Sequence, residues 1–270
     1  MHGRLSPPLE NKIQCFPQER WQAEFKDAAS CGFSCMEWIF DQYEKNPIMD
    51  DSKLGEIKSI SAKHGVRIGS VLADYFMEKK FFDEAKDQVE KSLDVLRKLI
   101  KNCRKIDVSI LEIPFVDTSS ISTQKNESEV IENLNKISSL AKESSVSILL
   151  ETDMEPHRFR KFLENFDSSI FFANYDTGNS TALGYDVEEE LTVLSNRIKN
   201  IHIKDRILHG KTVPLGTGDT NFDLFFSNLK KINFKGDLII QGAREDNSTP
   251  KQTCEKYHKF VKQYVDKYFK

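Results

Sequence analysis

The sequence predicts an α/β fold of the (β/α)8 TIM barrel type, one domain over residues 1–270 with a shortened first strand. Two observations carry this. Short apolar runs alternate with amphipathic stretches eight times along the chain, and several runs are apolar without alternation, as strands covered on both faces are. A doubly wound open sheet would place a glycine-rich phosphate turn after its first strand, and none is present.

The first candidate strand is "KIQCF" (12–16), followed by a helix pattern at 17–32 with Trp21, Phe25 and Ala28 at helical spacing and a stop at Gly32. "SCMEWIF" (34–40) precedes a helix ending at Gly65, and "VRIGSVLA" (66–73) precedes the longest helix, 82–105. "IDVSILEIPFV" (106–116) leads into 126–145, where Val130, Ile131, Leu134, Ile137 and Leu140 form one stripe. "VSILLET" (146–152), "SIFFANYD" (169–176), "RIKNIHIKD" (197–205) and "DLIIQGA" (237–243) are paired with helices at 156–166, 186–198, 221–234 and 249–269.

Composition bounds the function. With 39% hydrophobic and 30% charged residues the chain is globular, and its net charge of −3 gives no nucleic-acid footprint. No apolar stretch is long enough for a membrane span, and "MHGRLSPPLENK" lacks the apolar centre of a signal peptide. Five cysteines without a framework spacing read as reduced, mostly buried thiols in a cytoplasmic protein; Cys31 and Cys35 lack a second pair for a zinc site.

Barrels present functional side chains at the C-terminal ends of their strands. Those ends read Glu37, Asp74, Glu112, Glu151, Asp176, His202 and Gln241. Two carboxylates and an imidazole on three consecutive strands, Glu151, Asp176 and His202, are the ligand mixture of Mn²⁺, Zn²⁺ or a similar divalent ion with positions left for substrate oxygens. The plainer alternative makes Asp176 a helix cap and His202 a hydrogen-bonded core residue. "YDTGN" reads as a tight turn over the mouth, with Asn179 among its polar groups. The glycine-rich "PLGTGDTNF" could hold a phosphate on backbone amides, with Lys204, Arg206 and Arg244 as nearby cations; their alternative is surface charge. His157 is assigned to the surface of its helix, with reach to the substrate from the loop after strand 5 as the alternative.

"LLET", "YDTGN", "IHIKD", "VPLGTGDTNFD" and "LIIQGAR", in this order, resemble the xylose-isomerase-like barrels, specifically the sugar phosphate isomerases and epimerases such as the L-ribulose and hexulose-phosphate 3-epimerases. The resemblance runs from about "GRLSPP" to the final helix. It implies a divalent metal, Mn²⁺ first with Zn²⁺, Co²⁺ or Mg²⁺ as alternatives, on Glu151, Asp176, His202 and position 241. It also implies a carbohydrate substrate, no nucleic-acid or membrane partner, and allows a homodimer. In the family two glutamates flank the substrate as an acid/base pair. Here the second is Gln241, which can offer a carbonyl oxygen but takes no proton.

Three outcomes follow. Glu151 acts as a single base, giving aldose–ketose isomerisation. Alternatively Glu112 or Glu37, the latter also a candidate for binding substrate, replaces the missing acid. Or the barrel binds metal and sugar without turnover. Arg244 is expected to hold the substrate's anionic end. A nuclease resembling endonuclease IV is disfavoured, since only His202 of six histidines sits clearly at a strand end. In relatives with "GRLSPP" the first strand looks to precede it, so here the chain starts upstream, "KIQCF" substitutes, or the barrel is open at this seam. The expectation is a short first strand and an N-terminal loop that turns Arg4 toward the site.

Overall fold

The computed structural model describes residues 3–9 and 13–269. Seven parallel strands pair in sequential order around a common interior: β1 (Cys35–Ile39), β2 (Arg67–Leu72), β3 (Ile110–Phe115), β4 (Ser147–Thr152), β5 (Phe171–Asp176), β6 (Ile198–Ile203) and β9 (Asp237–Ile240). A two-stranded antiparallel ribbon, β7 (Asp205–Arg206) with β8 (Thr212–Val213), lies between β6 and β9. The sheet is a nearly closed TIM barrel with flanking helices.

Period-two patterning explains how the strands face. Ile148 and Leu150 of β4, Ala173 and Tyr175 of β5, and Ile201 and Ile203 of β6 join the apolar layer under the helices. The residues between them, Glu151, Asn174, Asp176, Asn200 and His202, are buried but stand outside that layer, so the barrel interior is polar. Irregularities at Met36/Glu37 and Ala173/Asn174 interrupt the pairing beside Asn174 and beside Glu37, a further buried polar side chain. Such bulges re-aim a strand's side chains. The helix Lys86–Lys105 completes the outer layer by burying Leu93, Leu96, Leu99 and Ile100 fully. Burying each such side chain stabilises by about 1.5–3 kcal/mol before entropy is counted.

The eightfold expectation is corrected at the N-terminus. Of the expected strand 12–16, residue 12 lies outside the described residues and 13–16 form no strand. Their polar backbone groups have side-chain partners instead of a ladder. Phe16 N donates to Asp41 Oδ2 at 2.9 Å, and Ile13 O accepts from Arg244 Nε at 3.0 Å. Among the described residues no strand joins β1 to β9. Residues 3–9 and 13–16 lie at the seam instead: Arg244 donates to Gly3 O, Ser6 O and Ile13 O, and Arg4 Nε donates to Gly242 O at 2.9 Å. At the opposite end, Arg67 of β2 pairs with Asp237 of β9.

Two helical expectations also change. The stripe at 126–145 is broken into Gln124–Asn135 and Ser138–Glu143. "TGNSTAL" is a helix, Thr177–Leu183, where a turn was predicted, because Asp176 caps it.

Candidate metal and substrate site

His202 ends near the C-terminal edge of β6, in register with Asp176 of β5, and is fully buried. Its Nδ1 lies 3.2 Å from Glu151 Oε2 and 3.7 Å from Asp176 Oδ2. Its Nε2 lies 2.9 Å from Glu37 Oε1 and 3.3 Å from Glu112 Oε2. Burial opposes a charged ring, but Glu112 and Glu37 outweigh it and hold the His202 pKa well above its ordinary range.

Each carboxylate is oriented by its neighbours. Glu151 Oε2 accepts from Asn174 Nδ2 at 2.9 Å and Oε1 from Asn179 Nδ2 at 2.7 Å. Burial works against its charge, yet His202 pulls its pKa down. Asp176 divides its oxygens between two tasks. Oδ1 accepts from Gly178 N and Asn179 N at 2.9 and 2.8 Å, capping the helix Thr177–Leu183. Oδ2 faces His202 and Lys204 Nζ, the latter at 2.9 Å. Burial would raise the Asp176 pKa, but Lys204 and His202 drive it below the ordinary carboxylate range. The cap and the ligand readings of Asp176 are therefore both satisfied, by different atoms.

Glycine is required between these partners. A Cβ on Gly178 would meet Lys204 Cγ at 2.6 Å, so the lysine that reaches Asp176 passes over a backbone without a side chain. Thr177 Oγ1 clasps the same lysine's backbone, donating to Lys204 O at 2.6 Å and accepting from Lys204 N at 2.9 Å.

These buried groups fit a divalent cation. One donor atom each from Glu151, Asp176 and His202 lies within 4.8 Å of the other two. Glu37, Glu151 and Asp176, with Glu112 pushed toward its neutral form by burial, face one imidazole and one ammonium, and a divalent cation would balance the excess. A cleft of about 570 Å³ opens above them, lined by Arg4, Gln14, Asp74, Glu151, Lys204 and Gln241 among others.

The model of the xylose isomerase-like TIM barrel family matches residues 25–264. The chain belongs to this family. A Haemophilus influenzae chain, SgbU, is 27% identical over 270 residues, 92% of each chain, and the L-ribulose-5-phosphate 3-epimerase UlaE of Salmonella paratyphi A is 22% identical over 259 residues, 90% of this chain and 89% of that one. The solved structure of an L-ribulose 3-epimerase superposes with a TM-score of 0.80 at 15% identity, covering 99% of this chain and 94% of that one. The IOLI protein, solved with a bound zinc atom, superposes at 0.75 and 16% identity, covering 92% and 94%.

Within this xylose isomerase-like barrel the predicted site residues divide into two groups. Glu151, Asp176 and His202 converge, and Asn179, Lys204, Arg206 and Gln241 line the cleft above them. Glu37 and Glu112, expected at strand ends, sit mid-strand, one layer below the mouth. Both are buried against His202 and neither lines the cleft. Arg244, expected to meet the substrate, spends its guanidinium on three carbonyls of the seam loop.

The glycine-rich loop is not an open phosphate cradle. Gly216 N, Gly218 N and Thr220 N donate to the carboxylate of Asp205 at 2.8, 2.9 and 3.1 Å. The chain thus supplies its own anion to this nest. His157 stands exposed on its helix, 3.1 Å from Glu189. Asn174 and Asn200, absent from the sequence reading, join the inner network: Asn200 Nδ2 donates to Asn174 Oδ1 at 3.0 Å. Their signal was the shared spacing of Asn-x-Asp at 174–176 and Asn-x-His at 200–202, which puts each pair on one strand face.

Proposed function

We propose that the protein is a divalent-metal-dependent isomerase or epimerase of a small sugar or sugar phosphate, with Glu151 as the base that removes a proton beside the substrate carbonyl. The observation that carries this reading is the convergence of Glu151, Asp176 and His202 beneath the cleft. These three would hold the metal, Mn²⁺ first among Zn²⁺, Co²⁺ and Mg²⁺, with the Gln241 carbonyl oxygen as a fourth ligand. When bound, such an ion polarises a carbonyl and offsets the charge of an enediolate.

The chain's own groups do the rest. Two side-chain amides fix the Glu151 carboxylate at both oxygens, so it meets a bound C–H bond in one orientation. The proton passes to Glu151 and the electron pair moves toward the carbonyl oxygen. Lys204, Arg206 and Arg4 give the cleft a cationic wall for hydroxyl or phosphate oxygens. Glu37 and Glu112 hold the far nitrogen of His202. The five buried thiols suit a reducing compartment, and we place the protein in the cytoplasm. Among the described residues no helix is long and apolar enough to cross a membrane.

Two measurements test the reading. Metal-stripped protein should gain several degrees of thermal stability on adding Mn²⁺ or Co²⁺ at about 100 times Kd, the equivalent of about 2.7 kcal/mol. Glu151→Gln should abolish entry of solvent deuterium into a ketose or ketose phosphate while still taking up metal. Deuterium entry at the wild-type rate would sink Glu151 as the base. Gln241 favours a second reading, a sugar-binding barrel without turnover; it prevails if wild-type protein binds Mn²⁺ and exchanges no ketose proton.

A further inference from the structure

Asp74 follows β2 and is half-buried, opening into the same cleft as Glu151 and Gln241. Gln14, on the seam loop, connects the two walls. Its Nε2 donates to Asp74 Oδ2 at 2.6 Å, and its Oε1 accepts from Gln241 Nε2 at 3.3 Å and Arg4 Nη2 at 3.5 Å. One amide side chain thus separates Asp74 from position 241, where the family resemblance puts a second proton-transferring glutamate. Charged groups around Asp74 are Asp41, Glu151 and Glu37, with Arg4 opposing them. Burial and these carboxylates raise Asp74 to about 7, so its carboxyl both holds and releases a proton near neutrality.

We propose that Asp74 is the second proton-transfer group of this site and takes over the work that Gln241 cannot do. The proposal rests on the sugar isomerase/epimerase reading and turns it toward epimerisation. Glu151 breaks the C–H bond on one face of the carbon beside the carbonyl and keeps the proton. The bonding pair becomes the enediolate C=C bond, and the carbonyl pair moves to oxygen. Asp74 then donates its proton to the opposite face, a new C–H bond forms with inverted configuration, and the carbonyl is restored. The cycle leaves Glu151 protonated and Asp74 ionised, and solvent resets both. No oxidant or reductant takes part.

The test uses L-ribulose 5-phosphate and D-allulose as probes with the Mn²⁺-loaded full chain in D2O. Wild-type protein should yield the inverted ketose carrying deuterium. Asp74→Asn should lose inversion by about 10²–10⁴-fold, a typical acid/base contribution, while the starting ketose still exchanges its proton through Glu151. The double variant Asp74→Asn/Gln241→Glu should regain inversion, which a purely structural role for Asp74 does not predict. Should the amide impair folding, Asp74→Ser serves the same comparison, with melting temperature and Mn²⁺ uptake as controls. Inversion at the wild-type rate in Asp74→Asn overturns the proposal and leaves the function reading standing, as does parallel loss of exchange and inversion. A wild-type protein that exchanges neither probe overturns both.

Discussion

Both ring nitrogens of His202 are engaged at once, Nε2 by Glu37 and Nδ1 by the Glu151–Asp176 side. A ligand imidazole works when its far nitrogen is held, because that bond fixes tautomer and tilt. Glu37 is itself anchored by Ser70 Oγ at 2.6 Å. Glu37→Gln should therefore weaken Mn²⁺ affinity by about 10–100-fold, read by competition with a chelator. Unchanged affinity would mean that Glu112 alone holds the ring. The sequence pointed to His202 and its two carboxylates, since Glu151 and Asp176 come at the close of apolar runs and His202 is set between two isoleucines near the end of one. It misplaced Glu37 and Glu112 because a strand's end cannot be counted from apolar residues alone: "EIPFV" continues β3 past Glu112 as far as Phe115.

At the scale of elements, the connection after β6 shows how a motif can be recognised while its purpose is misread. "HIKD" read as a metal ligand with a nearby cation and "PLGTGDTNF" as a phosphate cradle. The fold joins them through Asp205, which is buried and accepts three amides of the loop. Gly218 has no room for a side chain, since its Cβ would stand 2.3 Å from Asp205 Oδ1. Asp205→Ala should lower stability by about 3 kcal/mol or more in urea melts, because hydrogen bonds to a charged group contribute about 1.5–3 kcal/mol each and do not add fully. A near-neutral effect would show that water satisfies those amides. Local composition could not tell an internal anion from a bound one, since both ask the same of the backbone.

For the whole molecule, closure is the property hardest to see in a linear chain. Seven of the expected strands were legible from their apolar runs. The seam was not, because it is made by side chains reaching across more than 230 positions, as Arg244 does to Gly3 and Arg4 to Gly242. Glu24 adds a pH dependence there. It lies buried in the helix Trp21–Ser30, and burial lifts it from 4.5 to about 7 despite hydrogen bonds with Ser6. Its folded pKa is raised, so the stability it allows is fully present below about 4.5 and is lost as pH climbs through about 7. Glu24→Gln should therefore gain on wild type by up to about 3 kcal/mol between pH 4.5 and 8 in urea melts. Parallel pH profiles would overturn this.

The seam loop has a practical side. Arg4 and Gln14 form part of the cleft wall, so these seam residues also belong to the rim of the site. A purification tag fused ahead of Gly3 is within a few residues of a cleft-lining guanidinium. An assay on such a fusion reports on tag and site together, and a protease that nips this segment removes part of the entrance without touching a strand.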